Sequence, residues 1–333
     1  MYDHTPDAAQ VLQHRLSHRK YRLTTTLRLS LVSKLFSLAL PNLALLLLCL
    51  TPPLAAAEQT NVTHIAPSIE GGRGEDYEIE LLKLALDKTQ DDYGTFTMKV
   101  APDANSVRGL RLISQNKIPD YVRSYGYKSS INKTQTLDYV RFPISLGILS
   151  YRVCFVSEAM KSKVAQAESL EALKVFTHGQ GLGWSDVLVM RNNGFKVFSV
   201  SYFKGLYKMT ALNRVNLFCR GANEIYSEYQ QYQSMQGLAL EETFALYYPH
   251  PRFFFTHKSN IHIIARLTTG LHRAFNDGSL EELWRKYNQA SLDFAKLDQR
   301  KIYRLETPEV EGIDFDYELY FYHFSPKSSL PKP

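Results

Sequence analysis

Catalytic motifs are what this sequence most clearly lacks. Its 333 residues include three cysteines, none in a motif that marks a nucleophile, and no serine in a G-x-S-x-G pattern. A zinc site would need two histidines four residues apart and a carboxylate, and this arrangement is missing from the histidines near predicted strands and helices, His250, His257, His262 and His272. We therefore assign no catalytic residue and expect no metal and no cofactor.

A concentrated basic region is also missing from most of the chain. The formal net charge is +6, but residues 1–57 contain six lysines and arginines against two aspartates and so carry four of these charges. Nucleic-acid binding needs a basic stripe, and none stands out after residue 57, so we expect no nucleic-acid partner. With 44% hydrophobic and 22% charged residues, the chain is predicted to be globular.

The long apolar run of the sequence lies near its N-terminus. A basic region ending at Lys34 is followed by LFSLALPNLALLLLCL, two prolines and three alanines. These are the three parts of a secretory signal, so we predict a signal peptide over residues 1–57 and a periplasmic mature chain. The alternative is an uncleaved membrane anchor over residues 35–57, which its prolines would interrupt.

Two cysteines lie beyond the predicted signal peptide, Cys154 and Cys219, both in apolar, strand-like stretches. An oxidising compartment permits a disulfide between them. Because sequence spacing cannot show that two cysteines lie close together, two buried free thiols are the preferred interpretation and a bridge is the alternative.

Apolar runs of period two alternate with helical patterns along the rest of the chain. The predicted strands are NVTHIA, TFTMKVA, LSYRVCFV, LKVFTHG, FKVFSV and RVNLFCRG. Helices are predicted between them, and in the C-terminal part Ser279 and Glu282 form a capping box for the helix SLEELWRKY. This alternation predicts an α/β fold with mainly parallel sheets covered by helices on both faces.

Four segments resemble the type II periplasmic solute-binding proteins of family 3, the amino-acid-binding group. GLHRAFNDGSLEELWRKY looks like the closing helices of that family, and SSINKTQTLDYVRFPISLGILSYRVCFV like its passage from the first lobe to the second. GLGWSDVLVMRNNGFKV is similar to its glycine loop, and LNRVNLFCRGANEIYSEY to its last inner strand. The resemblance implies two α/β lobes joined by two crossing strands, with a ligand between them. It places lobe 1 at 58–148 plus 249–333 and lobe 2 at 149–248.

The glycine loop is expected to line the cleft between the lobes. A strand enters it and a helix leaves it near Trp184, so backbone N–H groups at a helix N-terminus would face the ligand. Gly181 and Gly183 would let the ligand approach the backbone closely. Trp184 is either part of the core or a wall for an apolar part of the ligand. The alternative for the glycines is a tight strand-to-helix turn with no ligand.

The remaining predicted ligand contacts come from the resemblance. Ser129 and Ser130 lie in the segment before the first crossing, and Lys133 stands where amino-acid binders carry an arginine for the ligand carboxylate. Arg220 stands near the position of their ammonium-binding aspartate. The hypothesis is therefore that the cleft prefers an anionic or polar solute to an α-amino acid. The alternative is that Arg220 pairs with Glu224, one helical turn on, and never touches the ligand.

Two classes of function follow from this resemblance. The preferred one is a non-catalytic, monomeric binding protein that delivers a small-molecule solute to the permease of an ABC-type membrane transporter or reports it to a membrane sensor. The other is a dehydratase-like periplasmic enzyme on the same fold, which would need titratable groups such as Lys133 or Arg220 to converge with Glu224.

Overall fold

The computed structural model describes residues 59–66, 73–132 and 135–322. The predicted signal peptide and Lys133 lie outside the described residues. The strands are β1 Thr60–His64, β2 Phe96–Val100, β3 Arg123–Gly126, β4 Leu137–Tyr139, β5 Tyr151–Ser157, β6 Thr177–Gly181, β7 Lys196–Val200, β8 Leu217–Gly221, β9 Leu238–Leu240, β10 Phe244–Tyr247, β11 Arg252–His257 and β12 Lys301–Arg304.

Eleven α-helices alternate with these strands within the described residues. They are α1 Arg73–Asp87, α2 Gln90–Tyr93, α3 Ser106–Ser114, α4 Ser129–Asn132, α5 Glu158–Ala165, α6 Leu170–Leu173, α7 Ser185–Asn192, α8 Gly205–Ala211, α9 Ile225–Tyr232, α10 Ile261–Asn276 and α11 Ser279–Ala295. In the part of the chain that the structure describes, no helix is long and apolar enough to cross a membrane.

The first lobe contains two small sheets. Strands β1 and β2 pair in parallel, and β3, β11 and β4 form a three-stranded sheet. This second sheet is antiparallel rather than mainly parallel as predicted, because β11 enters it on the way back from the other lobe and runs against both neighbours. Helix α1 packs against α10 so closely that a Cβ added to Gly270 would lie 2.0 Å from the Ala85 carbonyl oxygen.

The second lobe is built on one larger sheet. Its strand order is β12-β10-β5-β8-β6-β7, with β9 paired to β5. Strands β6, β7 and β8 are parallel, whereas β5 is antiparallel to both β8 and β10. Every residue of β5 and β8 is buried, because side chains on both faces of the sheet are covered. These strands are accordingly rich in apolar residues, although β5 also contains the buried Arg152 and β8 the buried Arg220.

The two predicted crossing segments are joined by a hydrogen bond. The Tyr248 amide donates to the Ser150 carbonyl at 3.0 Å, so the two crossing segments lie side by side. The exact lobe boundaries stay a prediction. The resemblance implied that residues 249–333 lie wholly in the first lobe. Strand β12, however, pairs with β10 in the sheet of the second lobe.

Two further expectations are wrong. Cys154 and Cys219 lie directly opposite each other on β5 and β8 and form a disulfide, so they are not free thiols. Ser279 is not the N-cap of α11: Gly278 holds that position with φ of 83°, and the Ser279 hydroxyl hydrogen-bonds to Asp277 instead. A positive φ favours glycine at the N-cap. Gly278 therefore occupies the position that the predicted capping box assigned to Ser279.

Candidate functional site

Two neighbouring strands of the second lobe bring the predicted ligand loops together. Strand β6 ends at Gly181 and leads into helix α7, and β8 ends at Gly221 and leads into helix α9. Because β6 and β8 are adjacent and parallel, both loops emerge at the same edge of the sheet. In α/β proteins this carboxyl edge is where ligands bind.

The glycines of the first loop have different structural reasons. At Gly181 an added Cβ would lie 2.3 Å from the Trp184 ring, so the indole covers the space that a ligand was expected to use. Gly183 has φ of 81° and no atom within 4 Å of an added Cβ, so its backbone conformation requires glycine while its surroundings stay open. Only Gly183 therefore offers the close approach that the sequence predicted for both.

Trp184 is half-buried and packs against the core of the second lobe. Its ring lies 5.3 Å from the Phe203 ring and 6.5 Å from the Phe218 ring, measured between centroids. The Arg220 guanidinium lies 4.7 Å from its centroid. A contact between the indole and a ligand stays a prediction.

The Arg220 side chain is buried and held by carboxylates. Its Nε lies 2.9 Å from both carboxylate oxygens of Glu228, and its Nη2 lies 2.7 Å from one of them. The same Nη2 lies 3.0 Å from Glu224, so the pairing with Glu224 considered above is present. The partner that sequence reasoning missed is Glu228, which lies eight residues from Arg220, on the next turn of α9.

Electrostatics fix the protonation of this cluster. Burial lowers the pKa of Arg220, but the charges of Glu224 and Glu228 outweigh this and raise it above its ordinary value. Burial raises the pKa of the Glu228 carboxyl, and the Arg220 charge opposes that rise. Arg220 therefore keeps its proton, and its positive charge faces two carboxylates rather than open solvent.

A backbone donor beside Arg220 is also paired. The Gly221 amide donates to the Glu224 carboxylate at 3.2 Å. The first turn of α7 carries an acidic residue, Asp186. Arg220 and the Gly221 amide therefore already face carboxylates of the chain itself.

A buried cluster lies where the chain crosses between the lobes. Arg152 forms an ion pair of 2.8 Å with Asp186, and the Tyr248 hydroxyl donates to the same carboxylate at 2.5 Å. Burial raises the pKa of Asp186, but Arg152, His250 and Tyr248 together hold it below its usual range. Burial, and then the charge of Arg152, lowers the pKa of His250 to about 4. The imidazole is therefore neutral near pH 7.

The first lobe supplies the opposite side. Ser129 and Ser130 begin helix α4, the former half-buried and the latter exposed. The first lobe also contains a charged pair that sequence reasoning missed: Arg252 at the start of β11 contacts Glu78 at 2.6 Å. Ser124 of β3 donates to Glu78 and accepts from the Arg252 guanidinium at 2.9 Å. These side chains are far apart in sequence, so no local motif could predict their contact.

The described residues contain no group of three His, Cys, Asp or Glu side chains that could hold a metal ion. Among the predicted contacts, the structure brings Gly181, Trp184, Arg220 and Glu224 into one cluster at the edge of the second lobe. Lys128, next to Ser129, lies close enough to His250 for its charge to lower the histidine pKa.

Comparison with known proteins supports the fold. No protein-family model and no curated protein sequence matches this chain. YckB from Bacillus subtilis superposes with a TM-score of 0.50 at 12% identity, over 74% of this chain and 97% of YckB. An ancestral arginine-binding protein bound to arginine gives 0.46 at 17% identity, over 70% of this chain and 99% of its own. The L-cystine solute receptor of Neisseria gonorrhoeae in its unliganded open conformation gives 0.47 at 13%, over 70% and 94%.

The chain therefore shares an α/β fold with YckB over 74% of its length. The α/β class predicted from the alternation of strands and helices is confirmed. In the sheet of the second lobe, a single antiparallel strand, β5, interrupts an otherwise parallel array.

Proposed function

We propose that this chain is an extracytoplasmic binding protein that captures a small polar solute between its two lobes, for an ABC-type transporter or a membrane sensor. The observation that carries the proposal is the shared edge at which β6 and β8 end. It brings together the loops 181–184 and 221–224 at the carboxyl edge of the sheet, where α/β proteins commonly bind ligands.

The charged side chains around Arg220 in the second lobe constrain the charge of the ligand. Arg220 carries one positive charge against the two negative charges of Glu224 and Glu228, and Arg152 is balanced by Asp186. An anionic ligand would meet no unpaired cation among these side chains, and the Glu224 side chain is 42% exposed. We therefore favour a neutral or zwitterionic polar solute over the anionic one of the sequence hypothesis.

The enzyme alternative is not favoured. Arg220 and Glu224 do meet, at 3.0 Å, as that alternative required. However, a general base must exchange its proton near neutral pH, and the raised pKa of Arg220 prevents this. Lys133, the other cation considered, lies outside the described residues.

The first experiment identifies the ligand. Native mass spectrometry of the protein purified from its secreted fraction reports both any bound small molecule and the N-terminal residue of the mature chain. We expect a chain that begins after residue 57 and behaves as a monomer in light scattering. A mature chain that keeps residues 43–50 would contradict cleavage of the signal peptide.

The second experiment tests the site. Thermal-shift screening with the twenty amino acids, polyols and small organic anions, followed by calorimetry, should yield a neutral or zwitterionic ligand. Glu224→Gln should then weaken binding at least tenfold, the effect of about 1.4 kcal/mol. Glu242→Gln is the matched control, since Glu242 is an exposed, lysine-paired glutamate of the same lobe. Equal affinity in both variants would remove Glu224 from the site, and turnover of the ligand would favour the enzyme.

A further inference from the structure

Besides the two predicted crossings, the C-terminal segment, residues 279–322, passes between the lobes two more times. It begins on the first lobe as α11, joins the sheet of the second lobe as β12, and returns to the first lobe over residues 305–322. We call residues 279–322 the C-terminal clamp.

Helix α11 contacts a different lobe at each of its ends. In its first half, Trp284 donates to the Ser145 carbonyl at 3.0 Å and Tyr287 donates to Glu80 at 2.8 Å, both in the first lobe. Near its C-terminal end, the Phe294 ring lies 4.9 Å from the Tyr229 ring of helix α9 in the second lobe. Separating the lobes requires this helix to leave one of them.

The clamp also holds one of the predicted ligand loops. The Ser291 hydroxyl of α11 donates to the Asn223 carbonyl at 2.9 Å. Asn223 lies in the loop between β8 and α9, next to Glu224. A movement of the clamp relative to the second lobe would therefore move the backbone beside Glu224.

After β12 the chain is fixed at two points that lie on different lobes. The Asn193 side chain, at the end of α7, exchanges two hydrogen bonds with the Glu306 backbone, at 2.8 and 3.0 Å. On the first lobe, Asp314 accepts from Arg141 at 2.9 Å and from the Tyr139 hydroxyl at 3.0 Å. Asp314 lies eight positions after Glu306, so the chain between them can span at most about 26–29 Å.

The second anchor is reinforced by aromatic packing. The Tyr320 ring lies 4.8 Å from the Phe142 ring, and the Phe321 ring leaves only 2.6 Å for a Cβ on Gly147, at the first crossing. The Tyr322 amide donates to the Leu146 carbonyl at 2.9 Å. These contacts fix the end of the clamp beside the crossing itself.

Between its anchors the clamp does not fill the hinge. A cavity of about 480 Å³ separates the second crossing, at Pro249, from clamp residues that include Arg304, Thr307 and Glu311. The short helix Pro308–Val310 contacts helix α4, which holds Ser129 and Ser130. The clamp therefore borders the second crossing while it remains tied to both lobes.

From these contacts we propose that the C-terminal clamp limits how far the lobes open. Its residue Glu306 is held by Asn193 of the second lobe, and its residue Asp314 by Arg141 of the first lobe. When the lobes separate, the chain between Glu306 and Asp314 becomes extended and stops the movement. The inference does not depend on the identity of the ligand, because it concerns the free protein.

Pulsed electron–electron spin resonance measures the opening directly. Spin labels are attached to Val107→Cys in α3 and Leu188→Cys in α7, whose side chains are exposed and lie in different lobes. Cys49→Ser removes the third cysteine, and Cys154 and Cys219 are already bonded to each other. The ligand-free protein should show one narrow distribution of label distances.

Releasing the clamp should add a second population at longer distance. Asp314→Ala removes the anchor on the first lobe, and Phe294→Ala weakens the contact of α11 with the second lobe. We expect the longer population to be small in each single variant and larger in the double variant. Asp314→Ala breaks a half-exposed ion pair, so this variant should fold even if the double variant does not.

Asp92→Ala is the matched control. Asp92 is also an exposed aspartate paired with an arginine, Arg273, but both residues lie in the first lobe. Its distance distribution should equal that of the native protein. The proposal is overturned if Asp314→Ala and the folded double variant give the same distribution as Asp92→Ala, or if Asp92→Ala lengthens the distances as much as they do.

Discussion

Replacing Arg220 by methionine tests the electrostatics of the second lobe. The side chain is 8% exposed, so its removal leaves the Glu228 carboxylate buried without its bidentate partner. Breaking a buried ion pair in this way typically costs about 3–5 kcal/mol. Methionine keeps the apolar stem of the side chain but lacks the guanidinium, so the loss combines the unpaired carboxylate with the lost contacts to the surrounding rings.

The cost should depend on pH. Burial raises the folded-state pKa of Glu228 above the unfolded value, and without Arg220 nothing of comparable strength opposes the rise. For a carboxyl with a raised folded pKa, stability is fully present below the unfolded pKa and is lost as pH rises through the folded one. Arg220→Met should therefore be closer to the native protein in stability at pH 5 than at pH 7.5.

Urea unfolding followed by tryptophan fluorescence measures the free energies at both pH values. Arg285→Met is the matched control, because Arg285 pairs with Glu281 on the surface of α11 and should contribute about 0–1 kcal/mol. The double variant Arg220→Met with Glu228→Gln should recover part of the loss, since it removes the unpaired charge. If Arg220→Met costs no more than Arg285→Met, or costs the same at both pH values, the buried ion pair does not have the role assigned here.

Three further outcomes can be checked on the same protein. Cys154→Ser with Cys219→Ser opens a loop of 65 residues and should lower the free energy of unfolding by about 4 kcal/mol, as measured in urea; a loss below about 1 kcal/mol would contradict the bond. Burial lowers the pKa of His178 to about 4, so stability should fall by up to about 3 kcal/mol from pH 6.5 to 4, and His178→Gln should flatten that fall. Gly181→Ala should unfold at lower temperature than Gly183→Ala, because the former clashes with the indole above it and the latter adds only backbone strain of about 1–2 kcal/mol; the reverse order would refute this packing.

Much of the fold could be predicted from local patterns. Strands β5 and β8 are rich in apolar residues, and helix α1 carries Tyr77, Leu81 and Ala85 on its buried face, at helical spacing. These signals are short-range: each depends on residues a few positions apart, which the chain brings together within one element. Local turn chemistry was less decisive, as the displacement of the Ser279 capping box by Gly278 shows.

Contacts between distant segments were decided by the tertiary structure. Opposite positions on β5 and β8 joined Cys154 to Cys219, although 65 residues separate them. The packing of Trp184 likewise depends on which rings surround it. The indole lies against Gly181 and Phe203, and the sequence alone did not show these contacts. Sequence spacing carries no information on such pairs, because the register between strands sets them.

The sequence by itself determined the alternation of strands and helices, the order of the segments that resemble solute-binding proteins, and the positions of the loops that end β6 and β8. Only the tertiary structure decided the balance of charge around Arg220. Arg220 read alone is a cation, but in the fold it is balanced by Glu224 and Glu228, since α9 starts where β8 ends and turns both carboxylates back toward it. A charge acts through the field of all its neighbours, and in a folded chain those neighbours are set by the topology.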